Sequence, residues 1–318
     1  MLENNLTVSS APHIKAGLTT QKIMCLVIFA LLPAGLAGIY IYGLSSLKVI
    51  LISIASCLLS ELLFLKLRGK DLRIVLDGSA VLTGLLLAYN LPPELPFWIP
   101  VVGGAVSIII GKQIFGGLGH NIFNPALVGR AFLHISWPVY MTTWKNPRWV
   151  PDAISTATPL ASENVRSFTY MDLFLGNHSG SLGEVCILML LIGALILLFL
   201  NIISLHIPIS FIGTVMVLSW IFGGEGFFKG DFIFSLLAGG LVLGAFFMAT
   251  DYVTRPLTRT GKIIFGIGCG ILTVIIRLKG SYPEGVSYAI LFMNAMVPLI
   301  DRYTKTRTYG VVRRNSNQ

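Results

Sequence analysis

The sequence predicts an all-α polytopic membrane protein with about ten transmembrane helices, arranged as two inverted five-helix repeats with one extracytoplasmic loop. Three observations lead to this fold class: a strongly apolar composition, apolar segments long enough to cross a bilayer, and short motifs shared by the two halves. Of the 318 residues, 54% are hydrophobic and 12% are charged. Soluble globular domains have about 25% charged residues, so this composition indicates a membrane protein.

Apolar segments of about 17–22 residues recur along the chain, and as a helix each can cross a hydrocarbon core of about 30 Å. Breaker residues separate ten such segments, at roughly 23–43, 46–65, 74–91, 97–113, 121–139, 183–203, 207–223, 232–250, 261–278 and 284–301. They form two five-segment halves, 23–139 and 183–301. The one long polar stretch, 140–182, lies between the halves.

The distribution of basic residues predicts the orientation. With the N-terminus inside, fifteen of the 23 Lys and Arg lie on the cytoplasmic side and seven on the outer side, as the positive-inside rule requires. Residues 1–22 and the basic tail 302–318 are therefore predicted to be cytoplasmic, and 140–182 extracytoplasmic, in a bacterial inner membrane. The net charge of +9 has the same origin. Since no nucleic-acid motif accompanies it, we expect contact with membrane lipid and not with nucleic acid.

The two halves share short motifs. Leu85-Leu86-Leu87-Ala88-Tyr89-Asn90 in the third segment resembles Phe246-Phe247-Met248-Ala249-Thr250-Asp251 in the eighth. Phe123-Asn124-Pro125-Ala126 in the fifth resembles Met293-Asn294-Ala295-Met296-Val297-Pro298 in the tenth. Because each half has an odd number of spans, the second copy must be inverted in the membrane, as in many transporter-like folds.

The outer loop contains Asp152-Ala153-Ile154-Ser155-Thr156-Ala157-Thr158-Pro159-Leu160. By itself this stretch indicates a turn, with hydroxyls that bond nearby backbone groups. It also resembles the flavinylation motif D-x-x-S-[G/T]-A-T, whose last Thr carries FMN through a phosphoester bond made by a flavin transferase. The resemblance implies that Thr158 is the FMN phosphoryl threonine and that Asp152, Ser155, Thr156 and Ala157 complete the motif. Thr156 stands where many such motifs have Gly, so Ser155 and Thr156 are alternative acceptor hydroxyls.

Two further motifs flank this loop in sequence. One is Gly116-Gly117-Leu118-Gly119-His120-Asn121-Ile122-Phe123-Asn124-Pro125-Ala126, and the other is Thr250-Asp251 with Thr254-Arg255-Pro256. With the loop, they resemble the D subunits of the Rnf complex, the ion-translocating ferredoxin:NAD⁺ oxidoreductase, over nearly the whole chain. The homologous B subunits of the Na⁺-translocating NADH:quinone reductase are the alternative, although they usually have a longer N-terminal region.

The Rnf resemblance implies an electron-carrying flavoprotein subunit of a translocase that couples ferredoxin oxidation and NAD⁺ reduction to Na⁺ or H⁺ movement. Its implied partners are the iron–sulfur subunits, the subunits that react with NADH and ferredoxin, and a second flavinylated subunit. The chain itself has no G-x-G-x-x-G after a predicted strand and no cysteine cluster. We therefore expect a component of an enzyme, without catalytic residues or a metal site of its own.

The same resemblance implies a non-covalent riboflavin on the cytoplasmic side, held by Thr83, Asn121, Asn124 and Asp251. The residues themselves support a polar site here. Asn121 and Asn124 are predicted to share one helix face at a Gly-rich helix start, where their amides can bond a flavin edge. Asp251 is an ionisable residue at membrane depth, which marks it for function. A structural ion pair between Asp251 and Arg255 is the alternative.

Other polar residues within apolar segments are predicted to serve structure. Arg130 lies about two turns into the fifth segment and requires a partner such as a carboxylate, a phosphate or a carbonyl. Glu61 and Asp77 are expected to pair helices. The four cysteines are isolated within apolar segments, which excludes a C-x-x-C site.

Two other classes of function compete with the redox subunit. Asn124-Pro125-Ala126 resembles the triplet of aquaporin-like channels, but such channels need it twice, and the second half has Asn294-Ala295-Met296. An inverted repeat also fits a transporter or a structural scaffold subunit, since fold alone does not decide function.

Overall fold

A computed structural model of the chain describes residues 19–149, 160, 169–224, 226–280 and 285–305. These residues form helices, turns and loops, and no strand occurs among them. The α-helices, in chain order, are α1 (Thr20–Tyr42), α2 (Leu44–Leu67), α3 (Ser79–Tyr89), α4 (Trp98–Ile108), α5 (Pro125–Ser136), α6 (Pro138–Thr142), α7 (Tyr170–Leu175), α8 (Ile187–Phe199), α9 (His206–Phe222), α10 (Phe232–Leu237), α11 (Leu241–Leu243), α12 (Arg259–Lys279) and α13 (Val286–Tyr303). The predicted all-helical class is confirmed for this part of the chain.

Among the described residues, three helices are long and apolar enough to cross a membrane, namely α1, α2 and α12. Shorter apolar helices include α3, α8, α9 and α4, which continues as a π-helical turn at Ile109–Gln113. Large apolar side chains cover the outer faces of these helices; Leu36 is 66% exposed and Tyr40 is 75% exposed. Soluble monomers rarely expose contiguous apolar surface of this kind, so this surface agrees with a lipid environment.

A helix lies in each of the ten predicted segments, but two segments are not single helices. The third is divided by Gly78, which has a left-handed φ of 81° between a 3₁₀ turn at Leu72–Asp77 and α3. The eighth is divided at Gly239 and Gly240, with φ of 75° and 64°, before α11 and a π-helical turn at Gly244–Met248. Left-handed backbone cannot continue a right-handed helix, and glycine adopts it without steric cost.

The fifth segment also begins later than predicted. Residues 121–124 are not helical, and α5 starts at Pro125, with Asn124 as its N-cap. Proline suits this first helical position because its missing N–H would have no partner there. The prediction that Asn121 and Asn124 share a helix face was therefore wrong.

Small residues allow the helices to pack closely. A Cβ atom at Gly193 of α8 would lie 2.0 Å from the carbonyl oxygen of Ala30 in α1. One at Gly84 of α3 would lie 2.6 Å from Cα of Ile54 in α2. Membrane helices associate largely through such contacts, because lipid leaves little hydrophobic driving force between them.

Candidate functional site

Four polar residues from distant parts of the sequence line one cavity. Thr83, Asn121, Asn124 and Asp251, which sequence analysis assigned to a flavin site, are all in its wall. The cavity contains about 740 Å³ of space, including its open mouth. The residues in the wall lie towards those ends of their segments that were predicted to face the cytoplasm.

Most of the cavity wall is apolar. A mostly apolar pocket with a few placed polar groups is the usual form of a small-molecule site. The apolar and aromatic residues in the wall are Ile23, Met24, Val27, Leu82, Leu86, Leu118, Pro125, Leu197, Ile202, Ile203, Phe246, Phe247, Tyr252 and Val253. Sequence analysis did not select them, because nothing in an apolar helix indicates which face borders a cavity.

The glycine-rich loop positions Asn121. Gly116, Gly117 and Gly119 have φ of 125°, 105° and 92°, a backbone that only glycine adopts readily. This folded loop leads into Asn121, which is 5% exposed and whose Nδ2 donates to the Phe123 carbonyl at 3.1 Å. Its Oδ1 has no hydrogen-bond partner in the described part of the chain. A buried polar atom without a partner is costly, so Asn121 offers an acceptor to a ligand.

Asn124 links the two halves of the protein at the cavity. Its Oδ1 accepts from Ala126 N at 3.1 Å, and its Nδ2 donates to the Met248 carbonyl at 3.4 Å. The side-chain amide of Asn294 is oriented so that its nitrogen faces acceptors and its oxygen faces donors. Its oxygen then accepts from the backbone N–H of Asn124 at 3.1 Å. The two asparagines of the motif shared by the fifth and tenth segments thus contact each other.

Asp251 faces the cavity without the predicted structural partner. Its Oδ2 accepts from Thr254 Oγ1 at 3.3 Å. No ion pair joins it to Arg255 within the described residues; the Arg255 guanidinium lies 4.4 Å from the ring centre of Tyr252, a cation–π contact. The carboxylate therefore keeps acceptor capacity for a ligand.

Thr83 is buried in α3, where its hydroxyl donates to the Ser79 carbonyl one turn earlier, at 2.9 Å. This bond uses the hydroxyl proton and leaves the oxygen free to accept. The four predicted residues thus offer mainly hydrogen-bond acceptors to the cavity. The amide groups of Asn121 and Asn124 can also act as donors.

A buried ion pair adjoins the cavity, and sequence analysis did not assign it to the site. Lys112 is in the cavity wall, and its Nζ lies 2.5 Å from Oε1 of Glu61. The expectation that Glu61 pairs helices is confirmed, since the bridge joins α2 to the π-helical turn after α4. Asp77 does not join helices among the described residues; its Oδ1 accepts from the Ser79 N–H at 2.7 Å and caps α3 locally.

Arg130 lies outside this cavity. Its Nη1 donates to Oδ1 of Asn90 at 2.6 Å. The expectation that Arg130 has a polar partner is confirmed, and one such partner is the carbonyl oxygen of the Asn90 side-chain amide. Asn90 is the C-cap residue of α3 and does not line the cavity, whereas Thr83 of the same helix does.

The stretch that resembles a flavinylation motif, with Asp152, Ser155, Thr156, Ala157 and Thr158, lies outside the described residues. Leu160, the last residue of the stretch, packs against Leu173, Phe234 and Ala238 beside the break between α10 and α11. At this break Arg277 donates to the carbonyls of Ser235 and Ala238, at 2.7 and 2.8 Å. A guanidinium thereby satisfies carbonyls left open at a helix end.

Buried polar residues also lie between α7 and α8. His178 and Glu184 are both 2% exposed, and Ser181 Oγ donates to Glu184 Oε2 at 2.6 Å. Burial lowers the pKa of the His178 imidazole below its ordinary value, and the nearby Glu184 carboxylate partly opposes this.

Comparison with known proteins identifies the family. A model of the NQR2, RnfD, RnfE family matches residues 7–310. The chain belongs to the NQR2, RnfD, RnfE family. It is 46% identical to the D subunit of the proton-translocating ferredoxin:NAD(+) oxidoreductase complex of Clostridium ljungdahlii, over 98% of both chains. It is 48% identical to the D subunit of the Na(+)-translocating ferredoxin:NAD(+) oxidoreductase complex of Acetobacterium woodii, also over 98% of both.

Similarity within the family extends to more distant bacteria. The chain is 38% identical to the D subunit of the ion-translocating oxidoreductase complex of Escherichia coli, over 95% of this chain and 98% of the relative. Sequence similarity along almost the whole of each chain indicates a shared fold and not one shared motif.

Proposed function

We propose that this chain is the D-type subunit of an ion-translocating ferredoxin:NAD⁺ oxidoreductase of the Rnf type, in which it carries electrons through bound flavins. Family membership and the names of three relatives at 38–48% identity support this assignment. These relatives are named as D subunits, which favours this role over the B subunit of a Na⁺-translocating NADH:quinone reductase. Two close relatives are named for different ions, H⁺ and Na⁺, so family membership does not specify the ion.

The proposed topology has ten membrane crossings in two inverted halves, in a bacterial inner membrane, with both termini cytoplasmic. Its support is a helix in each of the ten predicted segments, the cytoplasmic bias of basic residues, and the short motifs shared by the two halves.

Thr158 is the proposed attachment site for FMN, on the extracytoplasmic side. One support is the D-x-x-S-T-A-T match at 152–158. The other is that Leu160 packs against Phe234 of α10, in the part of the eighth segment that was predicted to face outward. A flavin transferase would join the phosphate to the Thr158 hydroxyl. The remaining subunits of the complex would supply the ferredoxin, NAD⁺ and iron–sulfur sites.

Riboflavin is the proposed ligand of the cavity. The observation that carries this proposal concerns Oδ1 of Asn121. It is a buried acceptor at the cavity that has no hydrogen-bond partner among the described residues. A flavin supplies one-electron and two-electron redox chemistry when bound. The chain's own residues would hold it: Asn121 and Asn124 with their amides, Asp251 and Thr83 as acceptors for hydroxyl groups, and Phe246 with its neighbours as an apolar wall. Donor, acceptor and apolar groups are thus all available for a flavin.

Two measurements test this function. Ultraviolet fluorescence of the denatured gel band detects covalent flavin, because only a covalently bound flavin stays with the chain after denaturation. Acid extraction of the purified complex releases riboflavin, which chromatography separates from FMN. Absence of both flavins would contradict the redox assignment and favour a transporter or a scaffold subunit.

A further inference from the structure

Lys112 introduces a cation into the wall of the apolar cavity. Its side chain is 1% exposed, and it extends from the π-helical turn at Ile109–Gln113. Such turns are rare and often occur at functional sites. The second π-helical turn, Gly244–Met248, contributes Phe246 and Phe247 to the same wall. Both π-helical turns of the described residues therefore border this cavity.

The hydrogen bonds of Lys112 leave part of its charge available to the cavity. Its Nζ donates to Oε1 of Glu61 at 2.5 Å and to Oγ of Ser79 at 2.6 Å. An ammonium group has three protons, and no third acceptor contacts Nζ in the described part of the chain. Lys112 is in the wall of the cavity and Glu61 is not. A ligand in the cavity therefore lies nearer to the cation than to its anion.

Glu61 keeps the cation in place. Its Oε1 also accepts from Nε2 of Gln113 at 2.6 Å, so two donors converge on one carboxylate oxygen. An isolated buried ammonium tends to lose its proton, whereas a carboxylate within hydrogen-bonding distance favours the charged form. All of these bonds use Oε1, and Oε2 of Glu61 has no hydrogen-bond partner among the described residues. The result is a fixed cation beside the cavity in a medium of low dielectric, where electrostatic interactions are strong.

We propose that Lys112 is a positioning residue that makes the cavity bind reduced flavin more tightly than oxidised flavin. This inference rests on the proposed binding of riboflavin. Electrons that reach the flavin from the other redox centres of the complex add negative charge to it, and any proton it takes up comes from water. The Lys112 ammonium stabilises the anionic reduced form more than the neutral oxidised form. It therefore raises the reduction potential of the bound flavin.

The experiment compares the riboflavin Kd of the oxidised complex with that of the dithionite-reduced complex, both depleted of riboflavin beforehand. Spin filtration followed by chromatography measures free riboflavin alone, because FMN stays covalently bound. The principal variant is the double substitution Glu61→Gln with Lys112→Gln, which leaves no unpaired buried charge. We expect the ratio of oxidised to reduced Kd to fall at least tenfold. For two electrons this equals a potential shift of about 30 mV.

Two further variants separate an electrostatic role from a structural one. Glu61→Gln alone leaves the Lys112 amine buried without its anion, which favours the neutral amine, so the ratio should fall as it does in the double variant. Lys145→Gln is the matched control, because Lys145 pairs with Glu94 at an exposed site away from the cavity, and its ratio should not change. An unchanged ratio in the double variant or in Glu61→Gln, or equal weakening of both Kd values in the double variant, would each overturn the role of Lys112. Absence of riboflavin binding to the wild type would instead overturn the proposed function.

Discussion

Removal of the Asp251 carboxylate should weaken riboflavin binding without affecting covalent FMN. Asp251 is in the cavity wall, and Thr254 Oγ1, at 3.3 Å, is its only side-chain donor within the described residues. Its carboxylate can therefore accept from ribityl hydroxyls. A hydrogen bond to a charged group contributes about 1.5–3 kcal/mol, so Asp251→Ala should raise the riboflavin Kd by about 10- to 160-fold, at about 1.36 kcal/mol per tenfold.

The assay for this prediction measures two flavins in one preparation. Acid-extracted riboflavin, determined by chromatography, should fall sharply in Asp251→Ala. Fluorescence of the denatured band should stay at the wild-type level, because the phosphoester on Thr158 is proposed to form on the other side of the membrane. Asp71→Ala is a suitable control, since Asp71 is exposed outside the cavity and accepts a local bond from Arg73 N at 2.9 Å.

One result would refute the argument for Asp251. If Asp251→Ala kept the full riboflavin content and the wild-type Kd, the carboxylate would have no role in binding. Its function would then be confined to the turn that it forms with Thr254. A parallel loss of riboflavin and FMN would indicate misfolding, and the milder Asp251→Asn variant, which keeps an acceptor oxygen, would then have to restore FMN and part of the riboflavin.

The remaining predictions concern the tether, the topology and helix packing. Thr158→Val should abolish fluorescence of the denatured band while the protein still inserts, since a methyl group replaces the hydroxyl; retained fluorescence would point to Thr156 or Ser155. A cysteine in place of Ser162 should react with a membrane-impermeant reagent only from the extracytoplasmic side, and labelling from the cytoplasm would contradict the ten-crossing topology. Gly193→Ala should destabilise the protein by about 1–3 kcal/mol through overpacking, because the new methyl group meets the Ala30 carbonyl. Gly213→Ala meets no atom within 4 Å and should be neutral or stabilise α9 by up to about 1 kcal/mol, as thermal unfolding in detergent would measure.

Sequence analysis located the helices but not their interruptions. Apolar length is a local property, and a helix lies in each of the ten segments that it predicted, whereas the short helix α7 in the polar stretch was not predicted. The number of membrane crossings stays a prediction. The break at Gly78 was missed because an isolated glycine within an apolar run is also tolerated inside a helix. The late start of α5 was missed although Asn124-Pro125 is a helix-start signal, because the apolar pattern was extended backwards to residue 121, directly after the glycine-rich loop.

The sequence by itself determined the membrane class, the predicted orientation and the chemical character of the site, because hydropathy, charge and motif spacing are written along the chain. Only the tertiary structure decided that Asn121, Asp251 and Lys112 meet at one cavity. It also decided that Glu61 pairs with Lys112, and that Arg255 stacks on Tyr252 and forms no ion pair with Asp251 in the part of the chain that the structure describes. Such contacts join residues far apart in sequence, and they depend on how helices approach one another, which no local pattern specifies.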